Sequence, residues 1–226
     1  MLTRFGKRLK TCFLRLYGNY RHLLILLYFF VYLAWFGYVE KSVKNNFHVI
    51  HVALDDYIPF CEYFVIPYLL WFFYVAWGII YMAIHNKGDY YKLCAFLFTG
   101  MTLFLIVSTI YPNGHFLRPD YFTHHNICTM LCEYLYSSDT ATNLFPSIHV
   151  YNSIGVHLAV INNAHLKKNK TAVMISGVLM VSIILATMFL KQHSVFDVCC
   201  AFLTSYIMYR IVYKHDWSRK KKSTQK

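Results

Sequence analysis

The chain has 226 residues, 58% of them hydrophobic and 19% aromatic, yet only 14% charged, with a net charge of +12. Soluble domains carry about 25% charged residues, so this balance excludes an ordinary soluble globule and points to a membrane. The positive charge does not describe a nucleic-acid reader either, because the cations stand in blocks between apolar stretches.

A spanning helix needs about 20 residues, and six stretches are long and apolar enough: those near 22–39, 59–85, 93–111, 147–165, 172–190 and 195–213. The first follows a basic segment, but its apolar run exceeds a signal-peptide core and no small-residue cleavage site follows. It is expected to be retained. No repeat, linker or composition break divides the chain, so one all-α domain is expected over 1–226. It is a polytopic six-helix bundle with a basic segment at 1–21 and a basic tail at 214–226. Arg4, Lys7, Arg8, Lys10, Arg15 and Arg21 precede the first span; Lys87 and Lys92 separate the second from the third; Lys167, Lys168 and Lys170 separate the fourth from the fifth. Arg219 to Lys222 follow the sixth. An even number of spans puts all these blocks on one side, which the positive-inside rule makes cytoplasmic. A multi-pass protein of the cell membrane with both termini inside is the result. The tail "WSRKKKSTQK" is also suited to anionic lipid headgroups.

The outward connections are then 40–58, 112–146 and the turn from Lys191 to Ser194. In the first, Phe47, Ile50 and Leu54 recur at helical spacing; in the second, Ile127, Met130, Leu131, Tyr134 and Leu135 do so. Both read as short helices, lying in the interface or capping the bundle. The seven cysteines have no metal-type spacing and read as packing residues, although Cys128 and Cys132 share a helical face, which leaves a bridge between them open.

The residues with chemical potential gather on this same outer side. Span three leads into "NGHFLRPD" with Arg118; span four opens on "FPSIH" with Ser147 and His149; the last turn is "KQHSVFDV" with Lys191, His193 and Asp197. A carboxylate four residues after a histidine can hold the imidazole in one tautomer if the helix reaches back that far. The other ring nitrogen is then free to attack an electrophile such as phosphorus. His149 would protonate the departing oxygen. Arg118 would grip the phosphoryl oxygens through paired donors, and the Ser147 hydroxyl would add another at a helix start. Each residue also has a plainer role: Ser147 as a helix cap, Lys191 as a cation at a helix C-terminus, either histidine as an interfacial polar group. Asp197 is harder to place without a partner, since a carboxylate inside a spanning helix costs about 2.5–3.5 kcal/mol on insertion scales.

These three stretches resemble the signature of the type 2 phosphatidic acid phosphatase superfamily, whose relatives include vanadium haloperoxidases and the sphingomyelin and inositol phosphorylceramide synthases. The family's motifs read K-x6-R-P, P-S-G-H and S-R-x5-H-x3-D. The resemblance implies His193 as nucleophile forming a phosphohistidine, Asp197 orienting it, His149 as acid and then base, and Arg118 and Ser147 on the phosphate. It implies no metal and no cofactor. The implied partners are a phospholipid substrate and membrane lipids, with no nucleic acid. Four positions depart from the pattern: Tyr111 and Thr187 stand where the family has lysine and arginine, Ala186 where it has serine, Ile148 where it has glycine. Lys191 would restore one of the missing charges. A lipid phosphatase hydrolysing a phosphatidic-acid-like monoester is the leading expectation. Fewer cations would also suit a phosphotransferase acting on a singly charged phosphodiester, with ceramide or diacylglycerol as acceptor. A non-catalytic lipid transporter or binding protein is the remaining alternative, although a transporter's ionisable groups are expected near mid-membrane.

His115, His124 and His125 lack a completing ligand for a tetrahedral metal site. His157, inside span four, is expected to bond between helices.

Overall fold

The computed structural model describes residues 20–43 and 46–215. The basic stretch 1–19 and the tail 216–226 lie outside the described residues. The fold is mainly helical. We number the helices α1 (Arg21–Ser42), α2 (Glu62–His85), α3 (Lys87–Ile110), α4 (Ile127–Ser138), α5 (Ile148–Asn162), α6 (Lys170–Phe189) and α7 (Val195–Lys214).

Five of these, α1, α2, α3, α6 and α7, are long and apolar enough to cross a membrane. Their flanks carry bare apolar side chains such as Phe30, Phe73 and Ile84, as suits helices that face lipid. Where the sequence suggested another span, at 147–165, the structure has the 15-residue helix α5. This helix is the centre of the bundle: it packs against α2, α3, α6 and α7, and Val150, Tyr151, Val156 and Val160 are buried. α3 starts at Lys87, six residues before the apolar run expected at 93, because the Asn86 side chain caps the amides of Gly88 and Asp89 through a charged first turn.

Close approach at the centre depends on small residues. A Cβ added to Gly100 of α3 would fall 2.0 Å from the Tyr151 ring of α5. That ring has no room to retreat, since its hydroxyl donates to the Phe96 carbonyl at 2.8 Å. His157 bridges to α6 as expected, its Nδ1 3.0 Å from Ser176 Oγ.

The two ends of the bundle differ. At one end His22 at the start of α1 donates to the Ala83 carbonyl, and Asn163 after α5 donates to Asp89 of α3. At the other lie the connections 43–61, 111–147 and 190–194. The helical spacing of Phe47, Ile50 and Leu54 misled here. His48–Val49 is a short strand, β1, parallel to β2 (Asn113–Gly114), and helix follows as the single turn Leu54–Tyr57. Backbone pairing decided this: His48 N donates to Pro112 O and Ile50 N to Gly114 O, both at 2.8 Å. The second expected short helix forms as α4, with Asn126 and Thr129 closing a capping box at its start. Cys128 and Cys132 both lie in α4 and carry free thiols.

Replacing Gly100 with alanine should lower the thermal midpoint in detergent by the equivalent of about 2–3 kcal/mol, through overpacking or loss of the Tyr151 bond. Gly37→Ala, where nothing lies within 4 Å of the new methyl, should stay within about 1 kcal/mol of the parent. Equal midpoints for the two variants would contradict the packing described.

Candidate functional site

The site is assembled from the turn between α6 and α7. At the end of α6 Leu190 N returns to Ala186 O and Lys191 N to Met188 O. The Thr187 carbonyl accepts both Gln192 N (2.9 Å) and His193 N (3.0 Å). The 6→1 and 5→2 bonds make this a Schellman turn, and its left-handed position is Lys191, with φ of 50°. A carbonyl at the position where the family has arginine therefore fixes the backbone of the expected nucleophile.

α7 does not reach back to His193: Ser194 is its N-cap and Val195 its first residue. The pair expected from spacing is nevertheless close, with His193 Nδ1 3.5 Å from Asp197 Oδ2. That same Oδ2 accepts the Ser194 amide at 3.0 Å, and Asp197 is fully buried. The helix N-terminus and the imidazole together offset the cost of burying the carboxylate.

His149, in the first turn of α5, lies against two aromatic rings of α2, 4.5 Å from Tyr68 and 4.3 Å from Trp71 between centroids. Its ring lies 5.8 Å from that of His193. Both line one cavity of about 510 Å³, within the usual range for small-molecule sites. The walls are apolar, from Tyr32 and Phe36 of α1, Phe72 of α2, Phe104 of α3 and Leu135 of α4. Leu33 and Phe72 also lie on the outer flank, 60% and 56% exposed. The cavity thus reaches the side of the bundle.

The remaining expected residues are placed differently. Ser147 caps α5, its Oγ accepting Val150 N at 3.4 Å. Lys191 turns away from the cavity, and its ammonium donates to the Asp55 carbonyl at 2.7 Å. The Asp55 carboxylate in turn accepts Ser194 Oγ and the Val195 amide, so Lys191 belongs to the clamp that holds the turn. Arg118 is near the site but heavily engaged. Its Nη1 donates to the carbonyls of Tyr136 and Asp139, and its Nη2 to Thr140 O and to Gln192 Oε1 at 2.8 Å. Those four bonds use all the hydrogens on its terminal nitrogens, leaving only Nε–H of the guanidinium's five. Arg118 therefore caps the C-terminus of α4 rather than presenting a free fork. Of the departures, Tyr111 stacks on His48 at 4.1 Å, and Thr187 is fully buried.

Two residues not singled out from sequence matter here, together with His115, which the sequence offered only as an incomplete metal ligand. Gln192 and Asp139 line the cavity, and burial pushes the Asp139 carboxyl pKa up from its ordinary value, with Arg118 opposing. His115 is 1% exposed and belongs to no metal cluster among the described residues. Its Nε2 donates to the Gln192 carbonyl (3.0 Å) while its Nδ1 accepts the Leu117 amide. The signal for His115 was weak, a histidine after Asn-Gly in a polar loop. Its neighbour Gly114 sits where a Cβ would meet the Ala141 carbonyl at 2.6 Å, so glycine lets the loops close over it. His124 instead faces Glu62 at 3.4 Å.

The chain matches no family model, no curated protein and no solved structure.

Burial holds the His115 pKa down at about 4, so the folded state keeps this ring neutral where the unfolded chain, near 6.5, takes up a proton. Stability linked to His115 is complete above pH 6.5 and is lost as pH falls toward 4, by on the order of 3 kcal/mol. Unfolding midpoints across that window should fall more steeply for the parent than for His115→Leu; parallel curves would show that the ring is not buried neutral. For Lys191→Met, any measured turnover of a phosphate ester should keep its KM within about twofold, because the ammonium is committed to Asp55; a tenfold rise would put it on the substrate.

Proposed function

We propose that the chain crosses the membrane six times, α5 being the enclosed crossing, with both termini cytoplasmic. In this reading the non-cytosolic mouth carries out histidine-based phosphoryl chemistry on an amphiphilic lipid, as a lipid phosphatase of the type 2 phosphatidic acid phosphatase kind. The observation that carries the proposal is the pair of imidazoles facing one apolar cavity at 5.8 Å, one of them backed by a buried carboxylate. Acyl chains would enter sideways past Leu33 and Phe72, and α4 would lie at the interface.

With Nδ1 turned to Asp197, Nε2 of His193 attacks phosphorus. The P–O bond to the lipid breaks, and the leaving oxygen takes a proton from His149. His149, now neutral, removes a proton from water, whose oxygen attacks the phosphohistidine and releases inorganic phosphate with His193 restored. Positioning and fixed donors supply most of the acceleration in such displacements. No step calls on a metal or cofactor.

A second reading, transfer of a phospho-headgroup from a phospholipid to a lipid alcohol, is favoured by the scarcity of free cations. Lys191 and the terminal nitrogens of Arg118 are occupied, and Glu40 and Asp139 line the cavity. A singly charged phosphodiester tolerates that setting better than a dianion does.

The test incubates pure protein with phosphatidic acid and with phosphodiester lipids, following free phosphate and headgroup exchange separately. Phosphate release with an acid-labile phosphoenzyme is expected, and His193→Ala should lose at least about 10³-fold in rate. Exchange without phosphate release would select the transferase. Undiminished turnover in His193→Ala would remove both.

A further inference from the structure

The side chain of Gln192 has one end occupied and the other empty. It is 1% exposed, lines the cavity beside His193, and its Oε1 accepts from Arg118 Nη2 at 2.8 Å. Its Nε2 is sealed from solvent and meets no acceptor among the described residues. The orientation of the amide follows from its partner: a guanidinium only donates, so the atom facing it is the oxygen and the other is the NH2. Buried donors without acceptors are rare and costly, and each calls for an explanation. Arg118 Nε is a second such donor on the same pair of side chains. Of the two, Gln192 stands at the cavity wall, and its unpaired N–H calls for an oxygen-bearing occupant there.

We propose that the Gln192 amide is a phosphoryl-binding donor: Nε2 hydrogen-bonds a non-bridging oxygen of the group presented to His193. Arg118 holds the amide and polarises it through Oε1. The Gln192 carbonyl is itself tied to His115 Nε2 and its amide N–H to Thr187 O, so the side chain starts from a fixed backbone. A polarised neutral donor thereby serves where the family's cations are missing at Tyr111 and Thr187. The inference rests on the phosphoryl reading of the cavity, and the ligand chemistry, a phosphoryl oxygen, is shared by a lipid ester and by released phosphate.

The experiment is a double-mutant cycle on the full chain in detergent micelles, with binding followed by calorimetry using inorganic phosphate in one arm and phosphatidic acid in the other. Gln192→Met should weaken binding about tenfold, and should still weaken it several-fold in an Arg118→Met background, since the lost contact is its own. No further loss in that background would mean that Gln192 acts only by positioning Arg118, and would overturn the proposal. Gln192→Glu covers the case in which the methionine variants do not fold. It keeps an acceptor for Arg118 but gives up the donor, so phosphate binding should fall while the thermal midpoint holds; unchanged phosphate affinity would overturn the proposal. A parent protein that binds neither ligand would do the same. Loss confined to inorganic phosphate would overturn the role toward the lipid. Binding that follows the cycle without any lipid turnover would sink the enzymatic reading alone and support the donor.

Discussion

A half-buried guanidinium joins the parts of the site. Arg118 lies in the connection after α3, the carbonyls it satisfies end α4, and the amide it holds precedes His193 in the turn before α7. Remove it and three carbonyls lose their donors, α4 loses its C-terminal cap and Gln192 loses its anchor. Arginine suits this task because its planar fork serves several acceptors at once, where lysine offers a single point charge. The ring of Tyr136, 4.5 Å below the guanidinium, adds a cation–π contact.

Around this tie the outer connections are knit by hydrogen bonds as well as by apolar packing, such as that of Phe60 on Phe122. β1 and β2 pair two loops, and Asn113 clamps a third, its Oδ1 accepting the amides of Leu144 and Phe145 just ahead of α5. Asp55, in the same connection as β1, reaches to the start of α7. His149 and His193 thus sit on helix starts whose approach is fixed by separate stretches of chain. The proposed phosphoryl chemistry would profit from such rigidity, because its groups would meet a phosphorus without rearrangement.

The charge of the site is more modest than its motifs imply. One cation is near the cavity with its terminal nitrogens occupied, one lysine is turned outward, and two carboxylates line the wall. This places more weight on neutral donors and on the imidazoles themselves. The two proposed readings, hydrolysis and transfer, would share a phosphohistidine and differ in the acceptor that reaches it.

Composition and hydropathy along the chain were enough to settle the helical class and five of the apolar helices, because the preference of a side chain for lipid or water is local. Residue chemistry drew attention to His149, His193, Asp197 and Arg118, which the fold brings to one end of the bundle. What only the tertiary structure decided is where each donor is spent. Lys191 and Arg118 read alike as free cations in sequence, yet their partners, the carbonyls of Asp55 and of α4's end, are brought to them by other segments. The same holds for His48–Val49, whose helical spacing yields to pairing with Asn113–Gly114, and for Gln192, whose unpaired amide exists only because Arg118 claims its oxygen. Hydrogen bonds between residues distant in sequence leave no periodicity behind, so they are visible only once the chain is folded.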